Sequence, residues 1–186
     1  MSHAAAVAPA AAERWQLPQG ECVWLRPLGP SDAEAERRFF NGLSLDSRHQ
    51  RFHVGLREVS TSLLTLLTVV DQQWHRAWVL ERRTPAGPVV IADARHVRDP
   101  ALPAQQARAE FALAVADEWQ GRGLGRRLVA HLIADARRQG VPLLFGEVLT
   151  ENRRMLGLMR EFGMRLQAHP DGAQLVRATL ALGTAD

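Results

Sequence analysis

Lysine and tyrosine are absent from this chain of 186 residues, and cysteine occurs once, as Cys22. With no lysine, all 23 basic residues are arginines, so every basic side chain other than histidine carries a guanidinium. One cysteine excludes an intramolecular disulfide and a metal site built from several cysteines. A lone thiol is compatible with a reducing compartment, and we expect a cytoplasmic protein.

Strong net charge and long apolar runs are also missing. A net charge of +3 permits acidic ligands such as phosphates but gives no electrostatic footprint for nucleic acid. No stretch has the length or purity of a membrane-spanning helix, and the N-terminus lacks the basic start of a secretory signal. Composition predicts a disordered lead-in at residues 1–18, which is rich in alanine, and one folded domain over residues 19–186.

Periodicity predicts strands and helices that intermingle along the chain without an internal repeat. The strand-like stretches are 21–28, 75–83, 88–97, 108–116, 142–149 and a closing pair within 164–182. The helical or apolar segments are 32–43, 44–53, 61–70, 123–140 and 150–163. We therefore expect one α/β domain around a mixed central sheet flanked by helices.

The stretch "DEWQGRGLGRRL" at 117–128 combines three glycines with three arginines between a predicted strand and an amphipathic helix. Free N–H groups at a helix start attract anions, and glycines let a phosphate come close to that backbone. Arginines add forked, charge-assisted hydrogen bonds. The alternative is a tight turn followed by a solvated basic face. The patterns G-x-x-x-x-G-K-[ST] and G-x-G-x-x-G are both absent.

The letters "QGRGLG" at 120–125 resemble the pyrophosphate loop Q/R-x-x-G-x-G/A of GNAT-type N-acetyltransferases. The order around them resembles the second half of that domain: strand "AEFALAV", loop, helix, strand "LLFGEVL", Asn152, helix, and "FGM" at 162–164. The stretch "WLRPLGPSDAEAERRFFNGLSLDSRHQRFH" resembles the start of the acetyltransferase domain of bacterial Pat-type protein-lysine acetyltransferases. The resemblance covers about residues 21 to 182.

This resemblance implies a GNAT acyl-CoA N-acyltransferase fold, acetyl-CoA as the donor substrate and no metal. The residues it places against acetyl-CoA are Leu113, Ala114, Val115, Gln120, Gly121, Arg122, Gly123, Leu124, Gly125, Arg126 and Asn152.

The amine acceptor needs a base, because a primary amine with a pKa of about 10.4 is protonated at neutral pH and cannot attack a thioester. Glu110 is the candidate for this base. Pat-type enzymes carry the glutamate that acts as general base at this point of the strand, and "AEFALAV" matches that motif. Its alternative role is a solvated carboxylate at a strand edge. Glu147 on the next strand is the competing carboxylate, for which we expect a structural role.

One departure from the family concerns the acid that protonates the leaving thiolate. Many GNAT enzymes protonate the leaving thiolate with a tyrosine, whereas this chain has no tyrosine and carries Met159 at about that place. His49 and His53 have the i, i+4 spacing of helical metal ligands, but no third ligand accompanies them, so we expect surface or packing roles.

The sequence analysis therefore predicts an N-acetyltransferase that moves an acetyl group from acetyl-CoA to a primary amine by direct attack. Resemblance favours a protein lysine as the acceptor, with a bacterial acyl-CoA synthetase as the expected target. The alternatives are a small-molecule amine acetyltransferase and a non-catalytic CoA-sensing module that regulates a partner. We expect no nucleic-acid or membrane partner, and the residues give no prediction of oligomeric state.

Overall fold

A computed structural model describes residues 12–102, 107–170 and 172–183. Its strands are β1 (Glu13–Gln16), β2 (Cys22–Pro27), β3 (His75–Thr84), β4 (Gly87–Arg98), β5 (Ala109–Val115), β6 (Leu143–Leu149), β7 (Arg165–Ala168) and β8 (Leu175–Ala181). Its α-helices are α1 (Ala33–Gly42), α2 (Leu45–Phe52), α3 (Thr61–Thr68), α4 (Leu124–Arg138) and α5 (Arg153–Glu161). Strands and helices are therefore intermingled along the chain, as the sequence predicts.

The strands form one eight-stranded sheet in the order β1-β2-β3-β4-β5-β6-β8-β7. Every neighbouring pair is antiparallel except β5 and β6, which run parallel and are joined through α4. This is the mixed α/β sheet that the sequence analysis predicts, and the fold class is confirmed.

The parallel pair β5 and β6 stays together only at its beginning. Ala109 pairs with Leu144 and Glu110 with Phe145, and no pairing follows. On its other side, β5 remains paired with β4 from Ala109 to Val115. The sheet therefore opens between β5 and β6 beyond Glu110, which leaves a gap for other groups.

A glycine on β6 allows β5 and β6 to lie close together where they begin to separate. A Cβ at Gly146 of β6 would lie 2.6 Å from Cε1 of Phe111 on β5. No real Cβ contact is that short, so the Phe111 ring fills the place of a side chain at Gly146.

Two hydrophobic cores lie on opposite faces of the sheet. On one face, α4 contributes Leu124, Leu128, Leu132 and Ala136, spaced by four residues so that they form a single apolar face. These residues pack with Phe111 and Leu113 of β5. On the other face, α1 and α3 pack on β3 and β4, and Ala114 of β5 contacts this second core. Odd and even residues of β5 therefore face opposite sides, as the alternation predicts.

The beginning of the domain lies earlier than the sequence predicts. Glu13–Gln16 form the edge strand β1, antiparallel to β2, with Trp15 opposite Val23. Trp15 and Leu17 are each 3% exposed. The expected lead-in at 1–18 is thus corrected for its last part, because two apolar side chains there are buried. Residues 1–11 lie outside the described residues.

No helix among the described residues is long and apolar enough to cross a membrane.

Candidate active site

The glycine-rich loop connects the end of β5 to the start of α4. Gly121 and Gly123 have φ values of 78° and 82°, a left-handed conformation that glycine adopts without steric cost. Gly123 is the N-cap of α4, and no side chain caps its first N–H groups. Free N–H groups and the positive end of a helix dipole are features that favour the binding of an anion.

A cavity of about 460 Å³ lies beside this loop, between the diverging strands and α5. The predicted cofactor residues that line it are Leu113, Ala114, Val115, Gln120, Gly121, Gly123, Leu124, Gly125, Arg126 and Asn152. The sheet gap and the loop therefore open into one space, which is long enough to extend from the loop toward the middle of β5.

Backbone groups of β5 point into the gap. The N–H of Ala116 donates to the carbonyl of Ile91 on β4 at 2.8 Å. Because backbone groups alternate sides along a strand, those of Leu113 and Val115 point away from β4 and toward the gap. The carbonyl of Val115 accepts a hydrogen bond from Nε2 of Gln120 at 3.1 Å. Gln120 thus closes one end of the gap.

Arg122 lies outside this cavity. Its Nη1 donates to Oε2 of Glu21 at 2.7 Å, and its guanidinium stacks on Trp119 at 4.6 Å. Arg127 likewise turns away and donates to the carbonyl of Gln16 at 3.0 Å. Both side chains hold the loop and α4 against the first part of the chain. Arg122 is predicted from the sequence to contact the cofactor, and we do not include it among the cofactor residues that we propose below.

Two other arginines face the loop from α5. Arg153 and Arg154 line the large cavity at the N-terminus of that helix, and Arg154 Nη2 lies 3.5 Å from the position a Cβ would take at Gly121. Arg126 also lines the cavity and pairs with Glu161 at 3.0 Å. Sequence reasoning missed Arg153 and Arg154, although the letters "NRRM" placed them directly after Asn152.

A second cavity of about 200 Å³ adjoins the first and contains Glu110. Its wall includes Phe52 at the end of α2, His53 directly after that helix, and Glu147 of β6. The residues that line both cavities are Gln50, Arg51, Leu113, Asn152 and Met155. The two spaces therefore meet at the middle of β5.

Burial raises the pKa of Glu110, and the negative charge of Glu147 raises it further. The positive charges of Arg51 and Arg177 act in the opposite direction. A carboxyl group with a raised pKa is a better proton acceptor than an ordinary glutamate.

Glu147 is held by two partners of its own. Arg177 Nη2 donates to Oε1 of Glu147 at 2.6 Å, and His169 Nε2 lies 2.7 Å from the same oxygen. Burial opposes ionisation, but the hydrogen bonds from Arg177 and His169 lower the pKa of Glu147. Glu110 and Glu147 thus differ in environment, and such a pair typically divides into a proton acceptor and a permanent anion.

Asn152 begins α5 and touches both cavities. Its Oδ1 accepts from the N–H of Met155 at 3.0 Å, and its Nδ2 donates to Oε1 of Gln50 at 3.2 Å. Met159, which the sequence analysis set in the place of the family's tyrosine, is fully buried in the core. Met155, one helical turn earlier, faces the cavities instead.

Asp117 fixes α2 against the glycine-rich loop. Its carboxylate accepts from the N–H and Oγ of Ser44 at 2.9 and 2.8 Å and from Oγ of Ser47 at 2.7 Å. This contact presents Ser47, Gln50 and Arg51, one face of α2, to the cavities. Sequence reasoning missed Asp117, because Ser44 lies 73 residues away along the chain.

No group of three or more His, Cys, Asp and Glu side chains that could hold a metal occurs in the described ranges. His53, in a left-handed conformation at the end of α2, lies in the wall of the small cavity. His49 lies 3.9 Å from Glu151.

Comparison with known proteins agrees with this geometry. The sequence profile of the Acetyltransferase (GNAT) family matches residues 60–164, more than half of the chain. The chain belongs to the GNAT family of acetyltransferases. It is an acetyl-CoA-dependent N-acetyltransferase, as the sequence predicts.

Two relatives and one solved structure place it within the family. The chain is 33% identical to "Acetyltransferase PA5475" of Pseudomonas aeruginosa over 183 residues, 97% of this chain and 96% of that protein. It is 38% identical to "Acetyltransferase Pat" of Mycolicibacterium smegmatis over 151 residues, 80% of this chain but only 43% of that protein. The GNAT domain of S. lividans PAT superposes with a TM-score of 0.80 at 26% identity, covering 91% of this chain and 96% of that domain. The predicted closeness to Pat-type acetyltransferases is confirmed.

Proposed function

We propose that this GNAT acetyltransferase transfers the acetyl group of acetyl-CoA to the side-chain amine of a protein lysine, with Glu110 as the general base. The observation that carries the proposal is the meeting of two cavities at the middle of β5. One begins at the glycine-rich loop and the other contains Glu110, so a donor and an acceptor can approach from opposite sides.

Acetyl-CoA fits the larger cavity by charge and shape. Its diphosphate would lie on the uncapped N-terminus of α4, where Gly121 and Gly123 let oxygens approach the N–H groups. Arg153 and Arg154 supply positive charge from the opposite wall. The pantetheine arm would follow β5, whose free backbone groups face the gap.

The thioester would then lie where the cavities join. Backbone N–H groups at Leu113 and Val115 point into the gap and can stabilise the oxyanion that forms on the thioester carbonyl. The acceptor ammonium would enter the small cavity and lose its proton to Glu110, directly or through one water. Glu147 keeps its charge through Arg177 and His169 and so favours a cationic acceptor.

A lysine side chain suits the small cavity, which has an apolar wall at Phe52 and Phe111 and carboxylates at Glu110 and Glu147. Similarity to proteins named Pat supports a protein acceptor, and resemblance makes an acyl-CoA synthetase the first to test. The free thiol of Cys22 agrees with the cytoplasmic location that we propose.

The test is incubation with acetyl-CoA and a bacterial lysate that lacks its own acetyltransferases, followed by peptide mass spectrometry. Wild-type protein should acetylate lysines of folded proteins. Glu110→Gln should lower that acetylation by about a hundredfold or more, the loss expected when a general base is removed. Its affinity for acetyl-CoA should stay near that of wild type.

Glu147→Gln is the matched comparison, because it removes a carboxylate from the same cavity. It should reduce turnover less than Glu110→Gln does. If Glu147→Gln abolishes turnover while Glu110→Gln is benign, Glu110 is not the base. If no lysine is acetylated above the Glu110→Gln background while a small amine is turned over readily, the acceptor is a small molecule.

A further inference from the structure

Arg51 provides the positive charge at the junction of the two cavities. Five residues line both spaces, and among them Leu113 and Met155 are apolar while Gln50 and Asn152 bond to each other. Arg51 is the remaining member and the cation of the set. It therefore lies beside the position that the thioester takes under the proposed function.

The guanidinium of Arg51 has few partners within the described residues. Its side chain is 11% exposed and its nearest carboxylate oxygen, Oδ1 of Asp93, is 3.9 Å away. It stacks on the ring of Phe52 at 4.9 Å, and its Nε is buried without a hydrogen bond among the described residues. Burying a charged group without hydrogen bonds costs free energy. This arrangement therefore suits a guanidinium whose negative partner is a bound ligand.

The neighbouring acidic groups do not fully balance the charge of Arg51. Asp93 is already bound by Arg95 through two hydrogen bonds. Burial and the charge of Asp93 raise the pKa of Glu36, the other carboxyl of this cluster, to about 9, which keeps it neutral. Burial lowers the pKa of Arg51 to about 10, so it remains charged at neutral pH. The guanidiniums of Arg51 and Arg95 thus share the carboxyl group of Asp93, and the charge of Glu110 also acts on Arg51.

The reaction produces a negative charge on the leaving sulfur, and the tyrosine that protonates this sulfur in many GNAT enzymes is missing from the sequence. The chain has no tyrosine, and Met159, at the expected place of that acid, is sealed in the core. The thiol Cys22 lies on β2, where Arg14 donates to its sulfur, and it does not line either cavity.

We infer that Arg51 stabilises the coenzyme A thiolate as it leaves, so that departure requires no proton donor. This inference rests on the proposed function. The amine nitrogen forms a bond to the carbonyl carbon, and the carbonyl electron pair moves to oxygen. Glu110, which has by then passed the first proton of the ammonium on to water, accepts the second proton from the nitrogen, the carbonyl re-forms, and the C–S bond breaks. The electron pair of that bond stays on sulfur, opposite the guanidinium of Arg51.

The experiment measures the ionisation of the thiol of bound coenzyme A by its thiolate absorbance in the ultraviolet, as a function of pH. A free thiol ionises with a pKa of about 8.5. Wild-type protein saturated with coenzyme A should show a thiol pKa lower by about one unit or more, because a nearby cation favours the thiolate. Arg51→Gln should return the thiol pKa toward that of the free thiol.

Arg51→Lys keeps the charge and should retain part of the shift, which separates electrostatics from packing. Arg37→Gln is the matched control, since Arg37 is a partly exposed arginine of α1 that pairs with Glu34 and lines neither cavity. It should leave the thiol pKa at its wild-type value.

Turnover adds a second reading. Arg51→Gln should lower kcat by about tenfold or more, because losing one unit of the thiol pKa shift corresponds to a tenfold loss of thiolate stabilisation. The KM for acetyl-CoA should change little. A wild-type thiol pKa near that of free coenzyme A overturns the inference without any variant, even if Arg51→Gln fails to fold. An unchanged pKa in a folded Arg51→Gln also overturns it. Wild-type protein that binds no coenzyme A overturns the proposed function itself.

Discussion

At the scale of single residues, Gly123 and Gly140 offer a matched pair at the two ends of α4. Both have left-handed backbones, with φ values of 82° and 65°, and a Cβ on either would meet no atom within 4 Å. They differ in position, because Gly123 lines the large cavity and Gly140 does not. Backbone strain and cofactor contact can therefore be separated by substituting each in turn.

Gly123→Val should weaken acetyl-CoA binding by at least about tenfold, or about 1.4 kcal/mol, because the new side chain blocks the approach of phosphate to the loop. Each valine should also cost roughly 1–2 kcal/mol of stability through left-handed strain. Isothermal titration calorimetry measures the affinity for acetyl-CoA, and urea unfolding measures the loss of stability that the strain causes. Gly140→Val should lose similar stability but bind acetyl-CoA normally. Unchanged affinity in Gly123→Val would remove the loop from the donor site.

At the scale of elements, α4 is fastened to the sheet by a buried carboxylate. Asp135 is 2% exposed and accepts hydrogen bonds from Arg76 Nε at 2.6 Å and from His96 Nε2 at 2.9 Å. Arg76 and His96 lie on β3 and β4, so Asp135 joins α4, the helix that begins at the glycine-rich loop, to two strands. Burial opposes its ionisation, but the bonds from His96 and Arg76 lower its pKa strongly.

Asp135→Asn should lower the free energy of unfolding by about 3–5 kcal/mol at neutral pH, because the guanidinium of Arg76 loses its buried counter-charge. A lowered carboxyl pKa stabilises the fold above the ordinary value of 3.8, and the stabilisation is lost as pH falls toward the lowered pKa. The difference between wild type and variant should therefore shrink below pH 3.8. Urea unfolding over a pH series measures it.

Asp99→Asn is the control for this prediction, because Asp99 is an exposed loop residue. It should change stability little at any pH. If Asp135→Asn behaves like Asp99→Asn, the carboxylate does not hold α4 to the sheet.

At the scale of the whole molecule, β1 completes the first core from the edge of the sheet. Trp15 packs in the core that α4 and β5 share, and Arg127 of α4 stacks on its ring at 4.2 Å. The same arginine donates to the backbone of β1 at Gln16. The edge strand β1 and the helix α4 therefore pack together as one unit.

Trp15→Ala should cost about 3–5 kcal/mol of global stability, as truncation of a buried aromatic side chain leaves a cavity. Trp24 on β2 is the matched control, since it is only partly buried and stacks against Arg83 at 4.2 Å. Trp24→Ala should cost clearly less. Thermal or urea unfolding compares them. Equal, small losses would mean that β1 is not part of the cooperative fold.

The sequence by itself determined the features that depend on neighbours along the chain. Glycines between a strand and an amphipathic helix predict the anion-binding turn, because backbone conformation and free N–H groups are local properties. The spacing by four in α4 and the alternation in β5 predict which side chains enter the core. The resemblance carried by 120–125 and its flanks added the family, which is confirmed.

Only the tertiary structure decided which groups face the site. Arg122 lies in the loop yet binds Glu21, whereas Arg153 and Arg154 of α5 reach the cavity. The same physical cause applies to Arg51, whose surroundings come from β4 and the other helices. Periodicity assigns a side chain to a face of its own element, but packing against distant elements decides its partners and charge, and that information is not local in the sequence.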